Sequence, residues 1–354
     1  MNQTQDTNLD PQNSPLLLFD YSCVEPEGET DIDLDPSEEN EHDDSVNQEK
    51  HGAEKSDYEN EDDDEPNDAL FFYSITRRNL QTRRLEDLEG HFYWITPQGW
   101  FLMLHRDSHA TYLWNPFTGQ RINLPSDQEQ FLTKSTTRCL LSHKPTDPNC
   151  IVLVVNCRDT VFWYCHPEGN RWFKHTYQSS MLAERRRDVI GGMEILTAVG
   201  GEFYTYFTDN VVILKFLPDP TFTKIPVGDK SNHAYPSEDS FLLESCGELF
   251  SLDFDRPCFI DKVVHVGVHR LDMAERAWLK VETLGDRVFF VNFRYFGASL
   301  SAQKLGLKGN CIYFLRLGDK GLYVYDMERG TTALHNPSQD LLDDVAPEIL
   351  MPPS

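Results

Sequence analysis

A glycine, a short apolar strand, and then a second apolar strand closing at Asn or Asp and a tight turn recur along this chain. Gly99-Trp100-Phe101-Leu102 leads to Tyr112-Leu113-Trp114-Asn115, and Gly247-Glu248-Leu249-Phe250 leads to Val268-His269-Arg270-Leu271-Asp272. A third copy runs from Gly309 through Cys311-Ile312-Tyr313-Phe314 to Leu322-Tyr323-Val324-Tyr325-Asp326. A fourth runs from Gly201-Glu202-Phe203-Tyr204 to Val212-Ile213-Leu214-Lys215-Phe216. A repeat of about 40–50 residues built this way is the sequence mark of a β-propeller, in which no blade buries its faces alone. The spacing predicts an all-β chain: a β-propeller of about six four-stranded blades, with five or seven as alternatives, and a β-sandwich or barrel as the competing all-β solution.

Each part of the unit has a physical reason. Glycine before the first strand permits close backbone approach or a positive-φ turn. The second strand ends at Asn115-Pro116-Phe117-Thr118-Gly119, Asp272-Met273-Ala274-Glu275-Arg276 or Asp326-Met327-Glu328-Arg329-Gly330, where an Asx side chain can bond to the backbone of its own turn. The chain then returns as an outer strand, at Arg121-Ile122-Asn123-Leu124, Ala277-Trp278-Leu279-Lys280-Val281 or Thr332-Ala333-Leu334-His335. A degenerate fifth copy keeps the hairpin without the glycine: Val161-Phe162-Trp163-Tyr164-Cys165, the turn His166-Pro167-Glu168-Gly169-Asn170, and Arg171-Trp172-Phe173-Lys174.

Charge divides the chain. Residues 1–68 hold 24 Asp or Glu and 2 Lys, a net of −22, so the remaining residues carry only −4 of the total −26. From Val24 to Asp68 aliphatic residues are scarce and Glu61-Asp62-Asp63-Asp64-Glu65 is a run of like charge, so residues 24–68 are expected to be disordered. The apolar island Pro15-Leu16-Leu17-Leu18-Phe19-Asp20-Tyr21 reads as a strand that closes the ring, pairing with Leu70-Phe71-Phe72-Tyr73-Ser74-Ile75 across that acidic insertion, the alternative being a short binding motif in a disordered tail. A long loop costs little extra closure entropy. The expected organisation is a disordered N-terminus over 1–13, a first propeller strand within 14–23, the acidic insertion over 24–68, the propeller over 69–340 and a C-terminal tail over 341–354.

Several function classes are disfavoured. The first twenty residues lack a basic n-region and a full apolar h-region. No stretch reaches the roughly 18–20 apolar residues of a membrane span. The expectation is a cytoplasmic or nuclear protein with no membrane partner, whose 8 cysteines are buried thiols. Cys150, Cys157, Cys165 and His166 cluster in sequence, but the spacing is wrong for a zinc knuckle; His265 and His269 share one face of a strand and lack a third ligand. No nucleophile elbow, Walker loop, zincin or dinucleotide fingerprint occurs, so no enzyme is expected and no catalytic, cofactor-binding or metal residue is assigned. Arg77-Arg78, Arg83-Arg84 and Arg185-Arg186-Arg187 read as solvated loop charge, the last also suited to docking carboxylates. Near-balanced charge outside the acidic segment disfavours nucleic acid.

The chain also resembles a known family. Thr96-Pro97-Gln98-Gly99-Trp100, Leu113-Trp114-Asn115-Pro116-Phe117-Thr118-Gly119, Leu140-Leu141-Ser142 with Pro145-Thr146-Asp147-Pro148-Asn149-Cys150, and Glu244-Ser245-Cys246-Gly247-Glu248-Leu249-Phe250 are similar to motifs of the plant KIB-type propeller family. So are Leu284-Gly285-Asp286-Arg287-Val288-Phe289, Leu307-Lys308-Gly309-Asn310-Cys311-Ile312-Tyr313-Phe314 and His335-Asn336-Pro337. The resemblance implies a protein-interaction propeller related to the substrate-recognition domains of F-box adaptors in cullin-RING ubiquitin ligases. An F-box needs about forty residues of Leu-rich helices, several average helices' worth, and only fourteen residues precede the opening strand. Direct binding of a Skp1-type subunit is therefore not expected. The expected function is non-catalytic binding of a protein partner; the alternatives are an acidic-arm regulator of basic nuclear proteins and a small-molecule-binding or hydrolytic propeller.

Overall fold

A computed structural model of the chain describes residues 8–20, 70–132, 137–157, 159–178, 193, 195–207, 210–216, 219–228, 240–255, 263, 265–292, 296–316, 318–339, 341 and 347–352. The acidic stretch 24–68 and Arg185, Arg186 and Arg187 lie outside these residues.

The chain opens with β1 (Leu16–Phe19), β2 (Leu70–Ser74) and β3 (Asn79–Arg83). The second blade is β4 (His91–Ile95), β5 (Phe101–His105), β6 (Thr111–Trp114) and β7 (Arg121–Asn123); the third is β8 (Thr137–Leu141), β9 (Val152–Asn156), β10 (Val161–Cys165) and β11 (Phe173–Thr176). The fourth is β12 (Leu196–Val199), β13 (Glu202–Phe207), β14 (Asn210–Phe216) and β15 (Pro220–Pro226); the fifth is β16 (Ser240–Ser245), β17 (Glu248–Asp255), β18 (His265–Asp272) and β19 (Ala277–Lys280). The sixth holds β20 (Arg287–Asn292), β21 (Phe296–Ser301), β22 (Cys311–Leu315), β23 (Leu322–Asp326) and β24 (Thr331–His335), with the short helix α1 (Ala302–Leu305) after β21. β25 (Glu348–Leu350) then returns to β1 and completes the first blade in the order β25-β1-β2-β3. The fold is a six-bladed propeller, as the repeat predicts.

Ring closure combines both ends of the described chain. β1 pairs with β2, Leu17 opposite Tyr73, and on its other edge with β25, Leu17 opposite Ile349. The expected hairpin across the acidic insertion is therefore present. The expected tail 341–354 is corrected: it contains the innermost strand of the first blade, because Ile349 and Leu350 are apolar and bury against β1 and its neighbours. The N-terminal bounds also move, since Leu9 is buried and its amide donates to the Pro116 carbonyl at 2.8 Å.

The sixth blade departs from four strands. β20 runs parallel to β22 and β21 folds back to take the inner position, giving the order β21-β20-β22-β23-β24. Gly297 in β21 makes this possible: a Cβ there would lie 2.9 Å from Leu243 Cβ and 3.0 Å from the Leu242 carbonyl oxygen. The two innermost strands thus approach at a distance only glycine tolerates. In the third blade the outer strand begins at Phe173 instead of Arg171, because the turn runs further, with Glu168 at φ +58°.

Packing between blades supplies the core. Leu17, Phe19, Val288 and Phe290 join the first and sixth blades; Leu102, Leu113, Leu141 and Val152 join the second and third. Each such side chain removed from water contributes about 1.5–3 kcal/mol. Every blade presents one set of alternate residues to each neighbour, so the ring has no layer that is stable without the next.

Candidate functional site

Adjacent strands within five blades alternate in direction, so the turns from first to second and third to fourth strand emerge at one end of the ring. The second-to-third connections and most links between blades emerge at the other. The first end carries tight turns beside one longer connection, residues 142–151 from β8 to β9. Asn115 Oδ1 accepts from Phe117 N at 3.0 Å and Thr118 N at 3.1 Å; Asp272 Oδ1 accepts from Ala274 N and Glu275 N at 2.9 and 3.0 Å; Asp326 Oδ1 accepts from Glu328 N and Arg329 N at 3.1 and 3.2 Å. Gly119 and Gly330 then take left-handed φ of +69° and +61°. Three turns distant in sequence are one physical device.

The long connections leave from the opposite end. Residues 20–69 run from β1 to β2, 177–195 from β11 to β12, 227–239 from β15 to β16 and 256–264 from β17 to β18. The strand ends that anchor the acidic stretch 24–68 and those that anchor Arg185, Arg186 and Arg187 therefore lie at the same face. At its rim Tyr93 OH donates to Asp20 Oδ2 at 2.5 Å, tying the start of the longest connection to the second blade.

Between the fourth and fifth blades, at the tight-turn end, lies a cleft of about 280 Å³. Val199, Tyr204, Leu249 and Leu271 make its apolar walls, and Glu248 and Arg270 its charged rim. Arg270 Nη1 sits 2.6 Å from Glu248 Oε1, while Glu202 accepts from Tyr204 OH at 3.0 Å and pairs with Lys215. Burial, then the Glu202 carboxylate, push the Tyr204 hydroxyl up to about 12, so it stays a neutral donor. The rim charges are already paired, and ligand pockets are commonly about 300–1,000 Å³. At about 280 Å³ the cleft lies just below that range.

The Ser240, Asp253 and His269 cluster does not place an imidazole beside the serine hydroxyl. Ser240 Oγ donates to Asp253 Oδ1 at 2.7 Å, and Asp253 Oδ2 lies 3.4 Å from His269 Nδ1 without hydrogen-bond alignment. The carboxylate stands between serine and imidazole, whereas activating a serine needs the imidazole between them. Gly267 leaves the space into which the His269 ring folds, a Cβ there being 3.5 Å from its Cε1. Arg287 Nε and Nη2 donate to Ser299 Oγ at 3.0 and 2.8 Å, and Nε also to Ser245 Oγ at 3.2 Å, clamping the fifth blade to the sixth.

The residues clustered in sequence are separated in space. Cys150 and Cys165 meet Cys139 inside one apolar core, whereas Cys157 lies near Tyr177 of another. Burial pushes the Cys150 thiol up to about 11 and raises Cys139 and Cys165 as well, so all three are protonated packing groups. His166 Nδ1 lies 3.1 Å from the Cys150 carbonyl oxygen. His265 Nδ1 lies 3.1 Å from Tyr325 OH while His269 turns to Asp253, so the spaced pair has two unrelated partners. Among the described residues no group of three or more His, Cys, Asp or Glu is placed to hold a metal ion, and no helix is long and apolar enough to cross a membrane.

The KIB1-4 beta-propeller family model matches residues 72–332. Among solved structures, a streptogramin B lyase is similar at TM-score 0.35 and 11% identity, covering 71% of this chain and 70% of its own. YCF48 from Cyanidioschyzon merolae is similar at TM-score 0.33 and 12% identity, covering 81% and 78%. A protein of unknown function from Bacteroides caccae is similar at TM-score 0.31 and 11% identity, covering 79% and 90%. No curated protein matches the chain's sequence.

Proposed function

The chain belongs to the KIB1-4 β-propeller family, and on that footing we propose that it is a non-catalytic protein-recognition module of the cytosol or nucleus. The observation that carries this reading is the asymmetry of the ring. One end carries self-satisfied Asx turns, and the other anchors every connection longer than ten residues on a rigid core. Variable connections held by fixed strands are the usual way a scaffold presents a binding surface. The position of Asp253 between Ser240 and His269 favours a structural role for those polar groups over hydrolysis. The partner is a protein, in keeping with the resemblance to ubiquitin-ligase recognition domains.

A second reading places recognition in the acidic stretch itself. It is favoured by the net −22 carried by residues 1–68, which suits a basic, nuclear partner. Affinity purification from plant cells with the full chain, and with residues 25–68 removed, separates the two readings. Under the first, partners survive the deletion and persist at moderate salt, and recovery of Skp1 or cullin subunits with both chains would point to an indirect adaptor role. Loss of every partner on deletion, or binding that falls steeply as the Debye length shortens from about 10 Å at 0.1 M salt, transfers function to the acidic arm.

A further inference from the structure

Among the described residues the outer strand of each blade has one edge that no further strand covers, β19 meeting only Gly228 in an isolated bridge, and proteins blunt such edges with charge or proline. Five of the outer strands follow that rule: Arg83 lies in β3, Arg121 in β7, Lys174 in β11, Pro220, Lys224 and Pro226 in β15, and Lys280 in β19. β24, Thr331–His335, contains no Lys, Arg, Asp, Glu or Pro. Burial and the neighbouring Arg78 hold the His335 imidazole below its ordinary value, so the strand is uncharged at neutral pH.

The same strand carries Leu334, which at 58% is the most exposed large hydrophobic among the described residues. Leu334 pairs with Tyr323 and Thr332 with Tyr325, and both tyrosines pack toward the fifth blade. Thr332 Oγ1 donates to the Val263 carbonyl at 3.3 Å, which puts that side of β24 against the fifth blade. On β19, Trp278 packs toward the fourth blade against Tyr206. Its neighbour Leu279, 39% exposed, therefore faces the sixth. Leu334 and Leu279 are thus exposed on the facing sides of the sixth and fifth blades, Leu334 in the uncharged strand.

We propose that β24 is a docking edge, to which an extended segment of a partner protein adds as a further strand, its alternate apolar residues turning toward the fifth blade beside Leu334 and on the side that Leu279 faces. The edge selects this occupant. Only a polypeptide satisfies a row of amide and carbonyl groups. An uncharged edge beside Leu334 matches an uncharged, alternately apolar strand, whereas a charged one would be desolvated without a counter-charge. A second copy would bring together two chains of net charge −26, which self-repulsion opposes. The inference rests on the protein-recognition reading and adds a docking place on the rim of the ring.

The test uses a fluorescein-labelled peptide of alternating Thr and Val, titrated with the full chain and followed by fluorescence anisotropy, beside the same peptide N-methylated at alternate amides. The plain peptide should bind saturably. Leu334→Lys, Leu279→Lys and N-methylation should each weaken it by about tenfold or more, while Thr221→Lys on the guarded β15 leaves it unchanged and all variants keep the parent melting temperature. Absence of saturable binding, or binding indifferent to Leu334→Lys and to N-methylation, overturns the proposal. A dimer in sedimentation that Leu334→Lys dissolves also overturns it, assigning the edge to a second copy. Failure here leaves the partners recovered from cells in place; failure of the protein-recognition reading leaves neither cellular partner nor peptide bound.

Discussion

Glycine at the entry to the second strand serves two purposes, and they separate by position. Gly247 takes φ +81° with open space where a Cβ would stand, so only conformation demands it. Gly99 adds a steric demand, a Cβ there lying 2.5 Å from the Met351 carbonyl oxygen at φ +76°. Gly309 has no positive φ, yet a Cβ would meet the Gly285 carbonyl oxygen at 2.6 Å. Gly247→Ala is expected to cost about 1–2 kcal/mol, the usual left-handed penalty, and Gly99→Ala distinctly more, because backbone must move. Urea unfolding of both variants gives the ordering; equal losses would show that the contact with Met351 relaxes freely. The glycines and the Asx turns were legible in the sequence because their causes lie within a few residues. The partners of His265, His269 and Cys157 were not, because identical spacing along a strand leaves open which neighbouring group each side chain meets.

Among elements, β1 was legible and β25 was not. The island Leu16–Phe19 stands out as four consecutive apolar residues in a polar stretch, whereas Glu348–Leu350 spans three residues, too few to display alternation. Yet β25 seals the ring, with Ile349, Leu350 and Met351 1%, 0% and 2% exposed. Removing residues 347–354 uncovers these contacts, worth about 1.5–3 kcal/mol for each large apolar side chain. The shortened chain is expected to melt lower by roughly 10 °C or more, or to lose its cooperative transition, in a thermal melt followed by circular dichroism. An unchanged melting curve would mean that β1 closes the ring alone. The parallel insertion of β20 was equally hidden: its apolar run fits any buried strand, and its place beside β22 depends on Gly297 lying against β16.

For the whole molecule, pH tests how the ring buries its histidines. Burial is the main cause holding His91, His175 and His335 below the ordinary imidazole value, with positive charge from Arg121 and His105 adding at His91 and from Arg78 at His335. The folded chain thus binds these protons less readily than the unfolded one. Their stabilisation is complete above about pH 6.5 and is lost as pH falls through the lowered folded values. Thermal midpoints should drop on going from neutral pH toward about pH 5, and His175→Gln with His335→Gln should flatten that slope; an unaltered slope would reject these groups as its source. Asp286 and Asp326 are held low mainly by hydrogen bonds from Ser301 and Lys308, so their loss belongs to a separate window below about pH 4. By itself the sequence determined the all-β class, the repeated blade, its turn chemistry and the confinement of acidity to residues 1–68, since each follows from local periodicity, short-range hydrogen bonding or composition. Only the tertiary structure decided that the C-terminal segment supplies an inner strand and that one blade gains a fifth strand. Those outcomes depend on which surfaces meet when the ring closes, and no local preference along the chain encodes that meeting.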